Sequence, residues 1–148
     1  YPDNLTKILA GEVGVFNKYH SNIDTDYSFN VVNSYTVAFL HSLGANKITL
    51  SYELNETQIT ELISNYHQRY HKHPNLEVIV YGYPEIMISK FSLNKYYNND
   101  DLKLEDRYHN LYRIETTNDL MTIYHCKLLD NRNIDYYKLG INSTRINL

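Results

Sequence analysis

Apolar residues along this chain fall into short runs and spaced stripes rather than one long block. Residues 13–16 are mostly apolar, with Gly11 before them and polar Asn17 and Lys18 after, which predicts a short buried strand. A second strand is expected over residues 27–32. Asn33 and Ser34 are helix-capping types, and Val37, Phe39, Leu40 and Leu43 follow at helical spacing until Gly44 supplies the stop. Residues 47–52 are the next strand. Asn55 then caps a helix that keeps Ile59, Leu62, Ile63 and Tyr66 on one face, with Pro74 ending it. Residues 76–82 form a third long apolar run, broken by Gly82, Tyr83 and Pro84.

Strand, strand, helix, strand, helix, strand with short links predicts parallel α/β architecture, because parallel neighbours need crossover helices. Residues 91–103 are polar and Asn-rich and read as an exposed loop. Residues 112–116 and 121–126, separated by Asn118 and Asp119, predict a β-hairpin near residues 110–126. A short helix over 135–139 and a last strand over 144–148 complete the expectation. No linker to a second domain is evident, so residues 1–148 are expected to form one domain or a fragment of one.

Composition narrows the classes. The 148 residues carry 14 Lys and Arg against 17 Asp and Glu, with 43% hydrophobic residues, which excludes a disordered tail and gives no general pull toward polyanions. No apolar run approaches the roughly 20 residues that cross a bilayer, so no membrane partner is expected. The lone Cys126 excludes an intramolecular disulfide framework, and with no basic-then-apolar leader the expectation is a cytoplasmic protein. Sixteen Tyr, no Trp and abundant Asn, Ile and Lys point to an AT-rich microbial gene. The chain opens at Tyr1 rather than Met, which suggests a piece of a longer protein with part of its active site elsewhere.

Candidate chemistry is sparse. His67, His71 and His73 are the densest ligand run, but Gln68 stands where a zinc-protease helix needs Glu, and histidines near a helix end suit its dipole; no metal is expected. Cys126 and His125 are adjacent, so on a strand they point to opposite faces. The five glycines make no phosphate-cradling set. Polar groups at the C-terminal ends of the predicted strands are more telling, because ligands of parallel α/β proteins bind at that edge. They are Asn30, Asn33, Ser51, Glu53, Tyr81 and Tyr83. Glu53 is the candidate acid, base or ligand-binding carboxylate; the others are candidates for positioning a substrate. Asn33 and Asn55 are equally well read as helix caps.

Taken together, the segments FNVVNSYTVAFLHSLGANKITLSYELNETQI and LEVIVYGYPEIMISKF resemble the collagenase-like peptidases, the thirty-second family among peptidases of unknown mechanism. The match rests on Asn30, Asn33 and Ser34 before a helix ending Leu-Gly, on the Leu-Ser-x-Glu-Leu run at residues 50–54, and on the Glu-Val-x-Val-Tyr-Gly strand leading to Met87. Later, YHCKLLD and LGINSTRINL are similar to the family's closing segments.

The resemblance implies roughly the C-terminal half of a (β/α) barrel, which takes ~250 residues when complete. It implies a bacterial peptidase acting on a peptide or protein substrate. Other members take part in hydroxylating transfer or ribosomal RNA, or in ubiquinone synthesis, so RNA is the alternative partner. A non-catalytic scaffold using its tyrosines as an interface is a third reading. Some members hold an iron–sulfur cluster through cysteines, but Ser92 stands where such a Cys is sought, and a hydroxyl is a poor replacement for a thiolate ligand. No cofactor is therefore expected. Tyr83 occupies a position often held by Arg. A half barrel leaves open strand edges, which predicts a homodimer.

Overall fold

The computed structural model describes residues 7–20, 22–99 and 101–147. Asp100 and Leu148, which the sequence places in an exposed loop and at the end of the last strand, lie outside the described residues. The chain forms two compact units, one within 1–80 and 132–146 and the other within 81–131 and 147–148.

The first unit opens with β1 (Ile8–Ala10), a single turn of helix α1 (Val15–Lys18) and β2 (Ile23–Thr25). Both early strands depart from the sequence expectation. Residues 13–16 supply a helical turn instead of a strand, and residues 27–32 hold a 3₁₀ turn (Tyr27–Phe29) begun by the Asp26 side chain, which accepts the Tyr27 N–H at 2.9 Å. Of the expected second strand only Val31 pairs, in an isolated parallel bridge with Leu50.

Thereafter the caps act as read. Asn33 accepts the Thr36 N–H at 2.9 Å and starts α2 (Ser34–Ser42); β3 (Ala45–Thr49) follows. Asn55 and Gln58 exchange bonds with each other's backbone N–H groups, at 2.9 and 3.0 Å, in a capping box that starts α3 (Glu56–Tyr70). β4 (Leu76–Gly82) comes next.

β1, β2, β3 and β4 pair in parallel in that order, and β10 (Ser143–Ile146) lies beside β4. Parallel βα units are thus present, in an open sheet that does not close into a barrel. Alternation along the strands sorts the side chains into two faces. Ile23, Ile48, Leu50, Leu76 and Val78 make the apolar face, each at most 5% exposed, and α2 packs on β3 and on α3. The predicted stripe Ile59, Leu62, Ile63 and Tyr66 is the buried side of α3. The expected helix over 135–139 is a string of turns, because five residues close too few hydrogen bonds to offset helix nucleation.

In the second unit, β5 (Glu85–Ser89), α4 (Leu93–Tyr97), β6 (Lys103–Glu105), β7 (Leu111–Thr117) and β8 (Leu120–Tyr124) give a four-stranded antiparallel sheet ordered β5, β8, β7, β6. The predicted hairpin is β7–β8, and Asn118 and Asp119 take the two positive φ angles, 50° and 64°, that its two-residue turn requires. Ile114, Met121 and Ile123 form the core. β9 (Leu129–Asp130) pairs antiparallel with Tyr81 and Gly82. No helix among the described residues is long and apolar enough to cross a membrane.

Gly82 has a φ of 136°, and a Cβ built there would stand 1.9 Å from the Asn147 carbonyl oxygen. Gly82→Ala is therefore expected to cost more than the roughly 1–3 kcal/mol of a strained backbone alone, since backbone must also move. Chemical denaturation of wild type and variant checks this.

Candidate functional site

The face of the first sheet opposite its helices is charged, although it is buried. Register sets Asp24 of β2 beside Lys47 of β3, and Thr49 of β3 beside Glu77 of β4. Asp24 and Glu77 are only 5% and 6% exposed. Charges so placed persist only when paired. Glu77 receives Lys47 Nζ, the Thr49 hydroxyl at 3.1 Å and the Ser143 hydroxyl at 3.1 Å, with Arg145 Nε 3.4 Å away. Arg145 reaches on to Asp26 at 2.5 Å. Asp24 meets Lys7 at 2.8 Å, Lys47 at 3.5 Å and the Asn46 amide at 3.2 Å. Three cations and three carboxylates thus form one chain of contacts across β2, β3, β4 and β10. Burial pushes the Glu77 carboxyl up, but Lys47, Thr49 and Arg145 together pull it below its ordinary value.

The sequence reading missed this network. Its signal was a Glu at position 77 inside an otherwise apolar strand, together with the charged pair Asp24 and Asp26 around Thr25.

The predicted rim residues divide. Asn33 and Glu53 come together in a cleft of about 520 Å³, with Ser34, Tyr35, Gln58 and Arg69 among its other walls. Glu53 is exposed at its mouth, in the loop from β3 to α3. Arg69 donates to the Ser34 hydroxyl at 2.5 Å, and its guanidinium lies 4.1 Å from the Tyr35 ring centroid. Asn33 spends its carbonyl oxygen on the cap, where it accepts the Thr36 N–H and hydroxyl at 2.9 and 3.2 Å. Ser51 is buried, and its hydroxyl accepts the Glu53 N–H at 3.4 Å, so it shapes the loop that presents Glu53. Asn30 is exposed in a left-handed conformation at the end of the 3₁₀ turn and does not line the cleft. Tyr81 and Tyr83 belong to the second unit, where they line a separate cleft.

The other candidates have local partners. His71 ends α3 in a left-handed conformation, and His73 Nδ1 lies 3.1 Å from the Pro74 carbonyl oxygen. Ser92 caps α4 and shares a 3.0 Å hydrogen bond with the Thr116 hydroxyl. Among the described residues no three of His, Cys, Asp and Glu are grouped to hold a metal ion.

Parallel strands joined through helices, with loops carrying Asn33 and Glu53 leaving their C-terminal edge, define an α/β protein of the kind that binds ligands at that edge. The chain belongs to peptidase family U32, whose model matches residues 10–103, from the last residue of β1 to the first of β6. The closing segments with Cys126 and Arg145 lie beyond that match. No curated protein and no solved structure matches the chain.

The network predicts acid sensitivity of a definite sign. Because the Glu77 carboxyl is lowered in the folded state, its stabilisation is full above its unfolded value and disappears as pH falls through the folded one. Glu77→Gln should lower stability at neutral pH by roughly 3 kcal/mol, since Lys47 and Arg145 lose their shared counter-charge. It should also flatten the acid limb of stability against pH, as denaturant titrations at several pH values would record.

Proposed function

We propose that this chain is part of a peptide-hydrolysing enzyme in which the first unit supplies one half of a (β/α) barrel. The family match over residues 10–103 carries this reading. The charged sheet face supports it. In a barrel that face lines the interior below the mouth where active sites lie, whereas a lone open sheet gains little from burying the Asp24 and Glu77 carboxylates. Residues outside this chain would supply the remaining strands and the attacking group.

At the rim, Glu53 acts as the acid–base or substrate-holding carboxylate, and the Asn33 amide orients the peptide. Exposure suits this role, because a general base must reach solvent and substrate together. Arg69, which lines the same cleft, supplies a cation for a peptide carboxylate or carbonyl. The network below is neutral in sum, and it holds the strands whose ends carry the rim.

The test uses the full gene product that contains this segment. Wild type should cleave denatured collagen or a collagen-like peptide, and Glu53→Gln should cleave it about 100-fold more slowly, the lower end of what positioned acid–base groups contribute. Equal rates would remove Glu53 from the reaction. Loss of a hydroxylated nucleotide in a deletion strain, with no cleavage by the purified protein, would overturn hydrolysis in favour of RNA modification. Among the described residues β1 ends the strand order of its sheet, and such an edge further favours self-association. Sedimentation of the 148-residue chain should show dimer, and a clean monomer at high concentration would reject it.

A further inference from the structure

The cleft beside α3 is polarised along its length. Gln58, Glu61, Asn65 and Arg69 all line it, and steps of three or four residues set them in one stripe down the helix. Glu53 continues the lining into the loop before the helix. Both lining carboxylates, Glu53 and Glu61, thus lie toward the start of α3, whereas Arg69, the one cation among the lining residues, lies in its last turn. At a rise of about 1.5 Å per residue, Glu61 and Arg69 stand roughly 12 Å apart along the axis.

Arg69 is held in place without being neutralised. Its Nη1 donates to the buried Ser34 hydroxyl at 2.5 Å, and its guanidinium lies over the Tyr35 ring, 4.1 Å from the centroid. Arg113 and Arg145 each meet a carboxylate, but among the described residues none pairs with Arg69. Neutral partners on one N–H and one face leave the rest of the planar fork for a planar anion. Because the side chain is already positioned, an anion that binds there has less ordering to offset. Glu53 and Glu61 likewise have no cationic partner among the described residues. A ligand with one terminal anion and hydrogen-bond donors behind it matches this order of charges. A phosphate chain does not, since its charges would repeat along the two carboxylates.

We propose that the cleft takes the C-terminal end of a polypeptide, with its free carboxylate in the Arg69 fork and the preceding residues extended along α3 toward Glu61 and Glu53. An extended chain rising about 3.3 Å per residue covers the roughly 12 Å interval in three to four residues. The inference rests on the reading of this cleft as a peptide site and adds to it a preference for chain ends over chain interiors.

The experiment titrates the 148-residue chain with acetylated tetra-alanine, as the free acid and as the C-terminal amide, following the Tyr35 ring resonances. The acid should bind about tenfold more tightly, the scale of a charge-assisted fork contact. Arg69→Gln should erase that preference and leave amide binding unchanged, an outcome that a merely structural arginine would not give. Arg69→Lys, which keeps the charge and loses the fork, should keep only part of the preference. Unblocked tetra-alanine should bind more tightly again, and Glu61→Gln should cancel that increment. Arg69 and Glu61 are exposed, and circular dichroism identical to wild type confirms the fold. Equal binding of acid and amide, an acid preference that survives Arg69→Gln, no increment from the amino group, or equally tight binding of inorganic phosphate or a single-stranded oligouridylate would each overturn the proposal. Collagen cleavage by the full gene product beside a failed titration would overturn this inference and leave hydrolysis standing. An Arg69-dependent acid preference supports it whether or not the peptide is cut.

Discussion

A single carboxylate inside a parallel sheet constrains the first unit. Glu77 is buried as the second residue of an apolar strand, where an isolated charge would cost far more than a small domain's total stability. It is tolerated because β3 brings Lys47 and Thr49, and β10 brings Ser143 and Arg145, to the same spot. Any register slip by one residue would swing Lys47 and Thr49 to the helix side and strand the charge. The network therefore specifies alignment more than it adds strength. A hydrophobic replacement of the whole set would hold the strands together but would not select their register so sharply.

That alignment connects sheet to site. The loops bearing Asn33 and Glu53 leave β2 and β3 at one edge, and their spacing follows the strand pairing beneath them. Ser51 fixes the Glu53 loop from below, Asn33 fixes the start of α2, and the capping box at Asn55 fixes the start of α3. Two of these hydrogen-bonding devices stand within two residues of the exposed carboxylate, and the third begins the helix that carries other walls of the same cleft. This is the support that a positioned acid–base group requires.

Elements with local causes were legible in the sequence. Asn33 and Asn55 cap by their own side chains, α3 declares its stripe over fifteen residues, and the β7–β8 turn needs only Asn118 and Asp119. Elements whose cause lies far along the chain were not. The three residues of β2 include a charge, and nothing within the segment shows that Lys47 neutralises it. Residues 13–16 look strand-like by composition, yet they form a turn and the start of α1. At the site, the gathering of Asn33 with Glu53 followed from strand order. The separation of Tyr81 and Tyr83 into another unit followed from the path of β4 and β9, which no short motif records.

Arg145 meets Asp26 across 119 positions of chain, and Ser143 meets Glu77 across 66. A ribosome adding 5–20 residues per second leaves roughly 3–13 s between the emergence of that glutamate and of its last partners. During this interval the nascent sheet holds a carboxylate with incomplete neutralisation, and its edge beside β4 stays open to other strands. Vectorial synthesis thus makes β10 the latch for this sheet, and it makes the waiting period the time when a chaperone has most to protect.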